Sequence, residues 1–206
     1  MNELILIGGG GHFRSAMDVI EQEKRFEIKG IVEKPHRRHE KVCGYPVIAC
    51  DEDIPTLIEH FANFFITIGQ IKTHEPRFRT FNRLKSLGLT LPVIISPFAH
   101  VSPHASIDEG TIVMHGAVVN ACAVIGKNCI INTRAVIEHD ARIESHTHIA
   151  TGAIINGSAI VREKSFIGSQ AMVREGIEVG HTSIIGAGTA LLQTVPNHSL
   201  ITRCAS

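Results

Sequence analysis

The chain has 206 residues, with 20 Lys and Arg against 20 Asp and Glu, five Cys and no Trp. That length gives room for one or two domains with real cores. Charges of both signs are spread along it and no apolar stretch reaches membrane-spanning length, so neither a nucleic-acid partner nor membrane insertion is expected.

The odd number of cysteines and the lack of any C-x-x-C pair point to a reduced, cytoplasmic setting. The opening run MNELILIGGGGH stops at glycine too early for a signal peptide.

Residues 1–94 alternate between two kinds of pattern. ELILI predicts a strand, residues 8–11 a tight glycine turn, and residues 12 to 23 an amphipathic helix. FEIKGIVE reads as a second strand, residues 54–61 as a helix, FFITIG as a third strand and residues 76–87 as a helix. Such alternation argues for a small parallel α/β domain. Strand, glycine run and helix together form a place where phosphate binds, because free N–H groups at a helix start face the ligand. Phe13 stands where G-x-G-x-x-G requires its third glycine, which weakens the dinucleotide reading and leaves a structural turn as an equal account. Glu33, ending the second strand, can accept hydrogen bonds from a ribose or a base.

From residue 95 the pattern changes. Every sixth position from Ile95 to Leu191 is Ile, Val or Leu, and the fourth residue after each of those up to Ile185 is small, with Ile177 the exception. Helices need apolar spacings of three and four, and ordinary strands alternate by two. A strict period of six is the hexapeptide signature of a parallel β-helix. Three hexapeptides make one triangular coil, so residues eighteen apart, such as Val119, Ile137, Ile155 and Val173, should stack. The aliphatic residue is expected to point inward, at about 1.5–3 kcal/mol of burial each, and the small one to let the chain turn.

Most of the thirteen histidines carry no distinguishing pattern, among them His100, His104, His115, His181 and His198. His139 differs, because carboxylates flank it at Glu138 and Asp140. A carboxylate bonded to one ring nitrogen fixes the tautomer and makes the other nitrogen a better base. His146 and His148 form an H-x-H pair, but no further ligand follows at suitable spacing, so no metal is expected. His148 lies half a coil beyond His139, so the two project from different sides of one prism. One site using both must draw them from neighbouring copies, which a threefold axis provides.

Together these segments resemble the bacterial sugar acetyltransferases of the left-handed β-helix superfamily, in particular the sialic acid O-acetyltransferases and the UDP-4-amino-sugar N-acetyltransferases. The likeness covers the whole chain. It rests on the glycine turn ending at His12, on Thr67-Ile68-Gly69-Gln70 where Asn is more usual than Gln70, and above all on Asn132-Thr133 through Ile137-Glu138-His139-Asp140. It implies a Rossmann-like α/β domain over residues 1–94 that holds a nucleotide sugar, then an all-β left-handed parallel β-helix over residues 95–206 that holds acetyl-CoA in a homotrimer. His139 would be the base, Asp140 would tune it and Asn132 would line the site. His148, Gly157, Ser169 and Ala187 would contact acetyl-CoA. Gly10, Gly11, His12, Glu33 and Gly69 would contact the sugar nucleotide. The implied reaction is direct N-acetylation of a UDP-4-amino-4,6-dideoxy sugar for surface glycan synthesis, with O-acetylation of a sialic acid or other sugar as the alternative. Phe13 is expected to reshape the sugar pocket, Lys34 replaces a common second acid, and the tail from Asn197 to Ser206 lacks the usual G-x-P-A ending. A β-helix scaffold without catalysis and a metal-dependent γ-class carbonic anhydrase are the readings from other classes.

Overall fold

The computed structural model describes residues 1–202, so the last part of the tail noted above lies outside the described residues. The N-terminal part runs β1 (Asn2–Ile7), α1 (Gly11–Glu23), β2 (Phe26–Val32), β3 (Lys41–Val42), β4 (Tyr45–Ala49), α2 (Ile54–Leu57), β5 (Phe64–Ile66) and α3 (Glu75–Ser86). Its sheet has the order β3-β4-β2-β1-β5. Leu4 through Ile7 are buried without a break, which is what a central parallel strand covered on both faces requires.

The sheet is mixed rather than wholly parallel, because β3 and β4 form an antiparallel hairpin. Cys43 and Gly44 join them with φ of 50° and 88°, the two positive values that a tight hairpin turn needs. Sequence reading missed both strands, since each is short and only Gly44 marks the turn. It also overextended α2, which tightens into i→i+3 hydrogen bonds at Glu59 and His60.

From Ile94 the chain winds into a three-sided prism of two-residue strands in parallel register. Val118 pairs with Val136 and Val136 with Ile154, an eighteen-residue step. The first face begins with Ile94–Ile95, the second with His100–Val101 and the third with Ser106–Ile107. Inside, Val119, Ile137, Ile155 and Val173 are wholly buried.

The small residues do not turn the chain. Ala117, Ala135, Ala153 and Ala171 also point into the prism and are wholly buried, filling space near the corners too narrow for larger groups. The residue before each makes the turn, in the left-handed region: Arg134 at φ 57°, Asp140 at 60°, His146 at 62°, Gly152 at 67° and Ser158 at 56°. A left-handed conformation costs a residue with a Cβ roughly 1–2 kcal/mol. Ladder bonds offset it: the Asp140 N–H donates to Ala121 O at 3.1 Å and the Ser158 N–H to His139 O at 3.0 Å.

The α/β part sits on the first face. Ile94, Ile112 and Ile130 point outward, yet they are wholly buried in one cluster with Phe13, Val19 and Ile20 of α1. Phe13 therefore lies in the core and not in a ligand pocket, which corrects the expectation that it reshapes one. Arg77 of α3 has no exposed surface and, among the described residues, no carboxylate partner. Its guanidinium donates instead to the carbonyls of Ile66 at 2.6 Å, Ile68 at 3.0 Å, Gly110 at 3.2 Å and Asn128 at 3.3 Å, tying the end of β5 to two corners of the prism. His146 packs edge-on against Phe78 and Phe81 of α3, while the Asn128 amide lies 3.0 Å from its Nδ1. His115 does have partners: Ser96 Oγ lies 2.6 Å from Nδ1, and Asp18 of α1 2.8 Å from Nε2. Ser96 is buried and its hydroxyl accepts the Phe98 N–H at 3.0 Å, so this chain is a latch between α1 and the first coil.

Burial pushes His146 and His148 down to about 4 from 6.5. Unfolded, each takes up a proton near 6.5. Between these limits the unfolded chain binds more protons than the folded one, so stability must fall with falling pH. Urea midpoints measured from pH 7.5 to 4.5 should drop steadily below about 6.5. A flat profile over that range would show that these rings are not held neutral.

Candidate active site

Two concave regions hold most of the residues singled out in the sequence. The first is a cleft of about 510 Å³ at the C-terminal ends of β1, β2 and β5, where ligands of open α/β sheets bind. Gly10, Gly11, His12, Glu33 and Gly69 all line it, together with Lys34, Asp51, Thr67 and Arg79.

The glycines have different reasons to be there. Gly8 is required by the fold: its φ is 103°, and a Cβ would lie 2.7 Å from Ile68 Cγ1. A Cβ on Gly10 or Gly11 would meet nothing within 4 Å, so these two leave the backbone bare toward the cleft. Helix α1 starts there with no side-chain cap and no acid in its first turn, leaving N–H groups and the positive dipole end to an anion. Glu33 braces the loop by accepting the Gly9 N–H at 2.8 Å, the Lys34 N–H at 3.0 Å and Arg37 at 3.2 Å. Burial alone would raise its pKa, but those N–H groups and the Arg37 charge hold it below the usual carboxylate value. His12 keeps Nε2 buried without a partner, and burial, with Arg77 and His148 nearby, pushes the ring down to about 3. At neutral pH it is therefore an uncharged imidazole at the cleft wall.

The second region is an open groove of about 530 Å³ at the corner between the second and third faces, lined by Glu138, His139, Asn156, Gly157, Ser158 and Glu175. His139 is 65% exposed, and its Nδ1 lies 2.8 Å from Asp140 Oδ2. That contact sets the tautomer with the proton on Nδ1 and leaves Nε2 free as a base. Gly157 stacks one coil above. A Cβ there would lie 2.7 Å from both His139 Cε1 and Nε2, so only glycine lets the ring rest against that coil. The neighbouring N–H groups of Asn156 and Ser158 donate to Val173 O and His139 O. The Gly157 N–H has no acceptor among the described residues, and it belongs to the residue on which the imidazole edge rests. Asn120 Nδ2 donates to Glu138 Oε2 at 2.8 Å, steadying the second acid of the groove.

The remaining residues lie elsewhere in the chain. Asn132 is at the corner between the first and second faces, and Ser169 and Ala187 stack above that same corner. His148 is buried on the first face. Its Nδ1–H donates to the Gln70 carbonyl, and the Asn132 amide lies 3.1 Å from its Nε2. Gln70, next to Gly69 of the cleft, reaches the prism with its side chain too, donating to His146 O at 2.9 Å. One chain thus brings Asn132 and His148 together and links them to the cleft, but holds His139 on a different corner. Arg77 and the Gln70 anchor were not found by sequence reasoning, because their partners are backbone carbonyls, which no residue pattern reveals.

Comparison with known proteins agrees with this geometry. The PglD N-terminal domain family matches residues 3–81. A histidine-to-asparagine variant of perosamine N-acetyltransferase from Caulobacter crescentus, solved in complex with CoA and GDP-perosamine, is 30% identical with a TM-score of 0.92, over 100% of this chain and 96% of that one. The acetyltransferase domain of PglB from Neisseria gonorrhoeae, in complex with acetyl coenzyme A, is 31% identical with a TM-score of 0.85, over 95% and 94%. WeeI from Acinetobacter baumannii, 19% identical with a TM-score of 0.85 over 100% and 99%, shares the fold. The chain belongs to the left-handed β-helix sugar acetyltransferases. Its chemistry is therefore acetyl transfer.

Gly157→Ala should displace the exposed His139 ring while leaving the prism intact. Activity should fall by about tenfold or more, the scale of a misplaced catalytic group, with the thermal midpoint unchanged. Full activity in a folded variant would show that the contact between ring and coil has no part in the activity.

Proposed function

We propose that this protein transfers the acetyl group of acetyl-CoA to the amine of a nucleoside-diphosphate-linked amino sugar, with His139 as general base. The observation that carries the reading is the Nε2 edge of His139, oriented by Asp140 and packed against Gly157, whose N–H has no acceptor among the described residues. The bare helix start at Gly10 and Gly11 supports a diphosphate in the cleft, with Glu33 near the ribose and His12 and Gly69 toward the sugar. The ligands named with the similar structures, CoA, acetyl coenzyme A and GDP-perosamine, support the same pair of substrates.

In this reading His139 Nε2 takes the proton as the acceptor nitrogen bonds to the thioester carbonyl carbon. The Gly157 N–H donates to the developing oxyanion. The carbon–sulfur bond then breaks, and the imidazolium returns its proton to the departing thiolate. Direct transfer needs no cysteine; Cys129 is buried, and burial lifts its thiol to about 11.

We further infer a homotrimer in which the second face turns toward the threefold axis. Its outward row Val118, Val136, Ile154 and Met172 is apolar, and Ile154 is 39% exposed in the single chain. With that face inward, threefold symmetry sets the His139 corner of each copy against the next copy's corner of Asn132, Ser169 and Ala187. The neighbour's cleft opens beside that corner, through Gly69, Gln70 and His148. His148 then acts as a strut under the shared site.

His139→Ala should lower kcat by about 10²–10⁴ in an acetyl-CoA assay with a nucleotide-linked amino sugar, at unchanged fold and oligomeric state. Near-native turnover would remove His139 as the base.

A further inference from the structure

The cleft has an end that the proposed acetyl transfer does not use. Chain order gives the cleft a direction: the glycine turn after β1 suits the diphosphate, Glu33 after β2 suits the ribose, and the end of β4 comes next. Two charged side chains line the cleft there, Asp51 just past β4 and Lys34 just past β2. Neither side chain forms a hydrogen bond or an ion pair among the described residues. Their acidic neighbour is engaged: Asp53 accepts from the Cys50 N–H at 2.9 Å and pairs with Arg38 at 2.6 Å. A carboxylate and an ammonium thus stand unpartnered where the base would lie.

We infer that Asp51 and Lys34 read the nucleobase and select guanine. This rests on the nucleotide-sugar reading above and deepens it by naming the nucleotide. Guanine offers two adjacent donors, N1–H and N2–H, to which a carboxylate binds in bidentate fashion, and an acceptor pair, O6 and N7, that suits an ammonium. Uracil offers one N–H between two carbonyl oxygens, so one carboxylate oxygen is satisfied and the other faces a repelling lone pair. The choice departs from the UDP-linked acceptor that the sequence resemblance implies.

Calorimetric titration of the full chain with GDP and with UDP tests this, alongside Asp51→Asn, an exposed position whose exchange should leave the fold intact. The native chain should bind GDP roughly tenfold or more tightly than UDP, the worth of one charge-assisted hydrogen bond. Asp51→Asn should erase that difference by weakening GDP and leaving UDP within about twofold. Equal binding of both nucleotides by the native chain, or a GDP preference that survives in Asp51→Asn, overturns guanine selection and leaves the acetyl-transfer reading standing. Binding of neither nucleotide overturns guanine selection and the nucleotide-linked acceptor together.

Discussion

The register of the coil ladder governs everything else in the molecule. Each backbone N–H and C=O on a face pairs with the coil eighteen residues away, so a one-residue slip would turn every inward side chain outward. The corners keep that register by accepting left-handed backbone at Asp140, Ser158 and their equivalents. A strained position in an open chain would relax; here the ladder bonds on both sides over-determine it. The proposed catalytic pair inherits its geometry from this constraint. Asp140 is the left-handed corner residue, His139 precedes it, and Gly157 arrives against the ring because it is one coil on.

The α/β part is held to the prism by unusual means. Arg77 keeps a buried charge without an ion partner among the described residues and spends its donors on four carbonyls. Burial draws it down to about 10, still charged at neutral pH. Burial, helped by its field, keeps His12, His146 and His148 neutral, and the last two act as hydrogen-bonding struts. The cleft is thereby fixed against the corner of Asn132, and the distance from cleft to corner is set by Gln70, whose carbonyl and side chain both reach the prism.

The prism was legible because its signal repeats. Ile137 or Ala141 alone says nothing, but the same pair recurring every six residues admits one architecture. His139 and Asp140 were legible because adjacency in sequence is adjacency at a corner. The hairpin of β3 and β4 was not, since strands of two and five residues give too short an alternation. The turn-making role given to the small residues failed for a related reason: composition marks a narrow interior and a tight corner in the same way, and only backbone angles separate them. His115 and Arg77 have partners tens of residues distant in sequence, which a linear pattern cannot join.

Within one chain His139 and the Asn132 corner stand apart, so the proposed reaction depends on copies meeting along an apolar face. Co-expression of two inactive variants tests this most directly. One carries His139→Ala with an intact cleft; the other carries Gly11→Asp, which puts a carboxylate at the phosphate end of the cleft. If the site is shared between copies, mixed oligomers regain a measurable fraction of native turnover that neither variant shows alone. If mixed oligomers form and remain as inactive as their parents, base and cleft belong to one chain and the shared site is wrong.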